Sequence, residues 1–334
     1  MTAPATVGLV VNPAAGRDIR RLVGAASVIP NHEKAAIVRR ALRGLEASGV
    51  GRVIYLPDGA GIVAAATGAP GRRLELELEP LPIRPRGIAG DSIEAARLLA
   101  ANGVGAIVTL GGDGTNRAVA SACGQVPLVA VSTGTNNVFP SMVEGTIAGL
   151  AAGLVAGGAV PLDEVAPAAK WVEVRAGDVR DVALVDAAAC RDAFPGARAV
   201  WDPRRIRAIV LSRAQPWAVG LSSIGGRLRP VAPDEPAGLY VELGDAAAGH
   251  PTVRAVLAPG LTADVPVRQV RTLALGEEVA LPAKGGIVAL DGERELACRG
   301  PAAARVTAGG PRLVDIRRVL TWAVGSDVAA GLVR

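Results

Sequence analysis

The first 160 residues alternate short apolar runs with stretches of helical period. Residues 7–11 form a continuous apolar run, Ile37, Val38, Ala41, Leu42 and Leu45 recur on one helix face, and residues 52–56 are strand-like again. Leu74, Leu76 and Leu78 alternate with Glu75, Glu77 and Glu79, the period of a half-buried edge strand. Asp91 with Glu94 reads as a capping-box start to a helix that Gly103 ends. Residues 106–110 then predict a buried strand, followed by a glycine loop, a helix to about Cys123, a strand over 128–131 and a helix from about Met142 to Ala156. Strand and helix in alternation argue for a parallel sheet covered by helices, with ligands at the carboxyl ends of the strands.

The pattern changes near Pro161. Short strand-like runs at 171–174, 182–189, 207–211, 239–243, 272–275, 286–290, 305–307 and 313–316 are divided by Gly, Pro and Asp, which predicts an antiparallel sandwich or layered sheet. Residues 287–290 and 293–296 read as a hairpin around a two-residue Asp291-Gly292 turn. The chain therefore divides into an α/β nucleotide-binding domain over 1–160 and a β-rich substrate domain over 161–316, with 317–334 packing back on the first. Asp186 stands inside the apolar 182–190 run, where an unpartnered carboxylate would cost several kcal/mol. It either takes local donors or an arginine, or it faces the cleft between the domains and contacts a substrate.

Three loops leave the carboxyl ends of the expected parallel strands: Asn12-Pro13-Ala14-Ala15-Gly16-Arg17, then Gly111-Gly112-Asp113-Gly114-Thr115-Asn116, then Ser132-Thr133-Gly134-Thr135-Asn136-Asn137. Glycines leave room for a polyanion against bare backbone, and the start of the following helix offers unpaired N–H groups and a positive dipole end. One such loop is ordinary; three on one sheet edge make a nucleotide cleft. Asn12 begins either a simple turn or a ligand contact, whereas two hydroxyls and two amides in succession at Thr133 to Asn137 exceed what a turn requires. Asp113 has two readings. It could cap a tight strand-to-helix turn, or it could accept a proton from an attacking hydroxyl or hold a cation beside the phosphates. The three-loop context favours the catalytic reading.

Composition narrows the function class. The 334 residues are 50% hydrophobic, enough for about two domains. No apolar run reaches the roughly 20 residues of a membrane span, and no signal pattern opens the chain, so a cytoplasmic location without membrane association is expected. Cys123, Cys190 and Cys298 are widely spaced and give neither a disulfide framework nor a zinc pattern, and no residue is assigned as a metal ligand by spacing. The formal charge is +5, but basic residues are scattered and aromatics are only 2%, so the stacking platforms of a nucleic-acid binder are missing. A small polyanionic molecule is the easier partner, and a homo-oligomer is expected. Lysine occurs only at Lys34, Lys170 and Lys284; the abundance of arginine looks like a coding bias and singles out no arginine as a ligand.

Asn12-Pro13, Gly111-Gly112-Asp113-Gly114-Thr115, Gly134-Thr135-Asn136-Asn137, the β-rich second half and Asp291-Gly292-Glu293 together resemble the NAD kinase and diacylglycerol kinase superfamily. Residues 18–22, 31–34 and 132–146 look like its ATP-NAD kinase-like branch, which includes the acetoin catabolism X proteins. The resemblance implies a Rossmann-like α/β domain, a C-terminal β-sandwich and an inter-domain cleft using ATP and Mg2+. It makes Asp113 the base or metal-linked residue, brings Gly111, Gly112, Gly114 and Thr115 to the phosphates, and gives Asn136 and Asn137 to the nucleotide. The implied reaction phosphorylates a hydroxyl, NAD to NADP first. Another alcohol, lipid-like or acetoin-related, and a nucleotide sensor without turnover are the alternatives. The family's Asn-Asp or Asn-Glu pair is here Val185-Asp186. A valine offers no hydrogen bond where an amide would read the dinucleotide.

Overall fold

In a computed structural model the described residues are 5–16, 24, 25, 27, 29–68, 72–134, 136–191, 200, 202–292 and 294–325. The first domain runs β1 (Ala5–Val11), α1 (Asn31–Ala47), β2 (Val50–Tyr55), α2 (Ile62–Gly68), β3 (Glu77–Pro80), α3 (Ala89–Ala101), β4 (Ala106–Gly111), α4 (Asp113–Ala120), β5 (Leu128–Ser132), α5 (Gly145–Ala156) and the short α6 (Leu162–Val165). Its five strands are all parallel in the order β3-β2-β1-β4-β5. Every residue of β4 and β5 is buried, as expected of central strands covered by helices on both faces. The strand order reverses between β1 and β4, so the chain leaves these two neighbours on opposite faces of the sheet. A crevice opens at their carboxyl ends, the usual ligand position in open α/β sheets.

Local differences from the sequence reading have physical causes. β3 begins only at Glu77, so Leu74 and Leu76 precede the edge strand. Asp91 works alone in the first turn of α3, accepting from the backbone N–H groups of Arg86, Gly87 and Ile88 at 2.8, 2.7 and 3.2 Å, without a capping role for Glu94. The helix expected from Met142 starts at Gly145, because the Glu144 carboxylate takes the N–H groups of Thr146 and Ile147. Helix α5 crosses α1 at backbone contact, where a methyl on Gly149 would lie 2.1 Å from the Ala41 carbonyl oxygen.

The second domain is antiparallel. Its elements are β6 (Trp171–Ala176), β7 (Val179–Ala183), β8 (Asp186–Cys190), β9 (Ile206–Leu211), α7 (Ser222–Leu228), β10 (Ala237–Leu243), β11 (Thr252–Ala258), β12 (Leu261–Ala274), β13 (Glu278–Leu281), β14 (Ile287–Leu290), β15 (Arg294–Ala297) and β16 (Ala302–Thr307). A four-stranded sheet, β13-β16-β6-β7, faces a seven-stranded one, β11-β12-β10-β9-β8-β14-β15. Val172, Val174, Ala187, Val210, Leu290 and Val306 share the core between them. The run expected as one strand over 182–189 is two strands in different sheets. It breaks at Leu184 and Val185 because the N–H groups there are captured by a side chain described below. The hairpin of β14 and β15 closes at Leu290 opposite Arg294, leaving three residues at its tip rather than two. Glu293 lies outside the described residues.

Residues 313–316 do not form the expected strand. Leu313 makes a single parallel bridge to Leu128, the Asp315 side chain caps the next helix, and α8 (Ile316–Val324) packs Val319 and Ala323 into the first domain's core. The three cysteines are buried free thiols. No helix among the described residues is long and apolar enough to cross a membrane.

Candidate active site

The three sequence-defined loops meet at the reversal point of the parallel sheet. The Asn12 N–H donates to the Leu110 carbonyl at 3.0 Å and the Thr133 N–H to the Gly111 carbonyl at 3.4 Å, extending the sheet by one residue on each side of the glycine loop. The Asn12 amide is shared within the cluster: Nδ2 donates to Thr115 Oγ1 at 2.8 Å, and Oδ1 accepts from the Ala14 N–H at 2.9 Å. Buried Lys34, reaching in from α1, donates to the carbonyls of Asn12, Pro13 and Ala15 at 3.2, 2.9 and 3.3 Å and holds the first loop closed. Gly111 needs to be glycine, since a Cβ would lie 2.5 Å from the Thr115 side chain. Asn116 faces away from the crevice. Its amide accepts from Thr109 Oγ1 at 2.6 Å and donates to the Gly112 carbonyl at 2.9 Å, bracing the loop against its own strand.

Asp113 is the first residue of α4 and only 8% exposed. Instead of capping its own helix, the carboxylate crosses to the third loop. Oδ1 accepts from the N–H groups of Val138 and Phe139 at 3.1 and 2.8 Å, and Oδ2 lies 3.1 Å from the Val138 nitrogen. Asn137 donates through Nδ2 to Ser132 Oγ at 2.8 Å and to the Gly134 carbonyl at 3.3 Å. A Cβ on Gly112 would lie 2.7 Å from Asn137 Oδ1. Gly112 and Gly114 thus sit on a short platform beside the third loop. Two polar atoms of that loop, Thr133 Oγ1 and Asn136 Oδ1, are buried with no hydrogen-bond partner among the described residues. Thr135 lies outside the described residues.

The second domain closes over this platform with charge. Arg117, one turn into α4, is buried and reaches across the boundary. Its Nη1 donates to the Val182 carbonyl at 3.4 Å and lies 3.9 Å from Asp181, and its Nε lies 3.5 Å from Asp291 Oδ2. The Asp291 carboxylate is fully enclosed and collects the N–H groups of Leu184, Val185 and Asp186 at 3.0, 2.8 and 3.3 Å. Burial pushes its carboxyl up against the opposing pull of Arg117 and the three amides. Asp291 also takes a left-handed backbone with φ 51°, a conformation that Asp tolerates better than most residues. Asp186, 7% exposed, begins β8 beside it, and its carbonyl accepts the Asp291 N–H at 2.8 Å. The sequence thus marked Asp291 as a turn; the structure makes it the tie between the hairpin tip, the β7–β8 break and the first domain.

Two further residues complete the site. Arg213 follows β9, is 3% exposed, and stacks its guanidinium over Phe139 at 5.0 Å from the ring centroid. Burial lowers its pKa to about 10, offset in part by the negative charges of Asp113 and Asp291. Neither Arg117 nor Arg213 carries a sequence signal, because each is one arginine in an arginine-rich chain. Phe139 could have been suspected as one of only two phenylalanines, placed just after the Asn-rich loop.

Val185 belongs to the apolar cluster at the domain boundary, with Leu128, Phe139, Ala169 and Leu184. An amide in that cluster would have no partner. We expect Val185→Asn to lower stability in chemical denaturation by roughly 1–3 kcal/mol without improving any activity. A folded variant of unchanged stability would show that the side chain has access to polar surroundings.

Among the described residues no cluster of three His, Cys, Asp or Glu is arranged to hold a metal. Asp113 is the carboxylate that lies beside the glycine platform.

Residues 7–159 match the ATP-NAD kinase N-terminal domain, and residues 170–309 match the C-terminal domain of acetoin catabolism protein X. Acetoin catabolism protein X of Cupriavidus necator is 41% identical over 303 residues, covering 87% of this chain and 84% of that protein. Among solved structures, a putative diacylglycerol kinase from Bacillus anthracis superposes at a TM-score of 0.48 with 14% identity, over 94% of this chain and 98% of its own. An NAD kinase from Archaeoglobus fulgidus in complex with ATP gives a TM-score of 0.40 with 16% identity, over 82% and 97%. With its α/β first domain, antiparallel second domain and this extent of identity, the chain belongs to the acetoin catabolism protein X family, whose first domain is of the ATP-NAD kinase type.

Proposed function

We propose that the protein is an ATP-dependent, magnesium-requiring kinase that transfers a phosphoryl group to a hydroxyl, with NAD to NADP as the leading specific reaction. The observation that carries this reading is the position of Asp113: a carboxylate set in a glycine loop at the reversal point of a parallel sheet, under a second domain. Phosphoryl transfer needs little covalent chemistry from the protein and much positioning and charge neutralisation. Backbone N–H groups of Gly112 to Thr115 serve the phosphates of the donor. The Asp113 carboxylate, oriented by Val138 and Phe139, is the proton acceptor for the attacking hydroxyl or the ligand to magnesium, which when bound neutralises the phosphate charge. The ATP complex of the Archaeoglobus NAD kinase bears on the donor only through fold and family.

A specific observation favours a second acceptor class. Val185 stands where the NAD kinase pattern has an amide, its side chain lies in the boundary core, and its N–H is taken by Asp291. An alcohol other than NAD is therefore the competing acceptor. The experiment is purified protein with Mg-ATP and a panel of NAD, NADH and small diols, read as phosphorylated product. NADP formation supports the leading reaction; product from another alcohol alone overturns NAD as acceptor; and ATP binding without product from any acceptor favours a nucleotide sensor.

Gly112 tests the phosphate cradle. Its φ of −95° suits any residue, so alanine acts only through its methyl, which displaces Asn137 and narrows the platform. We expect Gly112→Ala to weaken ATP binding about fivefold or more, the equivalent of one hydrogen bond of ~1 kcal/mol, with little change in melting temperature. Unchanged affinity by calorimetry would place the phosphates elsewhere.

A further inference from the structure

Arg213 has no use in the chemistry assigned so far, yet it is buried over Phe139, the residue that latches Asp113. Its guanidinium carries five N–H donors that cannot be discharged by deprotonation near neutral pH. Among the described residues it makes no hydrogen bond, its Nε is enclosed without a partner, and the residue is only 3% exposed. Its guanidinium lies over the ring of Phe139, the residue whose backbone N–H donates to Asp113. An enclosed guanidinium N–H without an acceptor is costly, and the two nearby carboxylates, Asp113 and Asp291, offset the charge without accepting a hydrogen bond from it. Ion pairing inside the protein is served elsewhere, since Asp291 is in contact with Arg117. The planar fork of Arg213 is therefore left for a planar or tetrahedral anion.

We infer that Arg213 is the anion-binding residue of the acceptor subsite, so that the alcohol phosphorylated here already carries a phosphate or carboxylate group. This rests on the kinase reading of the site. Two features favour the acceptor over the donor as the source of the anion. The donor phosphates have their own backbone cradle on the first domain, at Gly112 to Thr115, whereas Arg213 comes from the second domain. Arg213 is also close enough to Asp113 to feel its charge, and Asp113 must face the acceptor hydroxyl. An anion fixed by the fork would hold that hydroxyl beside the carboxylate. Neutral diols and diacylglycerol-like lipids lack the group that would satisfy it.

The test uses calorimetric titration of the full chain, wild type, Arg213→Gln and Arg213→Lys, with two probes. The first is a non-hydrolysable ATP analogue; the second is inorganic pyrophosphate added to protein already saturated with that analogue, so that the glycine cradle is filled. Arg213→Gln should weaken pyrophosphate binding by at least tenfold, Arg213→Lys should fall between the two, and the analogue's own affinity should move less than threefold. Pyrophosphate that fails to bind the nucleotide-filled wild type, or binds the glutamine variant as well as wild type, overturns the inference. So does a tenfold loss confined to the ATP analogue, which would give the fork to the donor. Should the glutamine variant fail to fold, the lysine variant decides, because it keeps the charge and loses only the fork. The kinase reading fails separately: an Arg213-dependent pyrophosphate site in a protein that phosphorylates no acceptor leaves the anion site standing, whereas turnover of neutral diols that is equal in wild type and Arg213→Gln removes the acceptor class and leaves the kinase.

Discussion

Asp113→Asn should fold, bind ATP and turn over at least ~100-fold more slowly, the lower end of what a positioned general base contributes. The fold should survive because Oδ1 alone accepts from both Val138 and Phe139, so the asparagine oxygen can take over that latch. The new amide nitrogen then occupies the place of Oδ2, 3.1 Å from the Val138 nitrogen, at the modest cost of facing a donor. Charge and proton affinity are lost while the loop geometry is kept. Steady-state kinetics on an accepted alcohol, with calorimetry for ATP and a thermal melt, separates the possibilities. Turnover near wild type would end the catalytic assignment, and a variant that melts far below wild type would reduce Asp113 to a loop latch.

The second large effect is on stability. Asp291→Ala removes the carboxylate that accepts from three consecutive backbone N–H groups and is the nearer of the two carboxylates beside buried Arg117. Breaking a buried charge pair by deleting one member costs about 3–5 kcal/mol. Placing alanine at φ 51° adds roughly 1 kcal/mol or more. We expect a loss of this size in urea denaturation, together with weaker joining of the domains, since the same carboxylate links the hairpin to α4. Asp291→Asn keeps an acceptor and the tolerance for a left-handed backbone, so its loss should be clearly smaller. Equal losses in the two variants would show that charge pairing with Arg117 dominates over the backbone hydrogen bonds. A loss under 1 kcal/mol in the alanine variant would contradict the assigned role.

The glycine loop was legible because close approach and a strand-to-helix reversal restrict residue type: at Gly111 any side chain meets Thr115. The parallel sheet was legible because its central strands are apolar throughout, and the antiparallel half because Gly, Pro and Asp punctuate it at short intervals. Individual side-chain roles were not. Asn116 and Asn137 lie in equivalent-looking polar loops, but helix rotation turns Asn116 back onto Thr109 while Asn137 folds onto Ser132 and Gly134 of its own loop. The break between β7 and β8 is invisible in an apolar run, because its cause is a carboxylate about 106 positions away in sequence. Asp-Gly is so common in turns that the second duty of Asp291 leaves no local trace. Arg117 and Arg213 gain their meaning only from the partners the fold brings to them.

A kinase of this design needs the reversal-point platform to be the seat of the donor phosphates. The direct measurement is a crystal structure of the protein with Mg2+ and a non-hydrolysable ATP analogue. Phosphate oxygens should lie within hydrogen-bond distance of the backbone nitrogens in the segment Gly112 to Thr115, with the terminal phosphate beside Asp113. A nucleotide bound with its phosphates away from this loop, leaving Asp113 facing no phosphate, would contradict this placement.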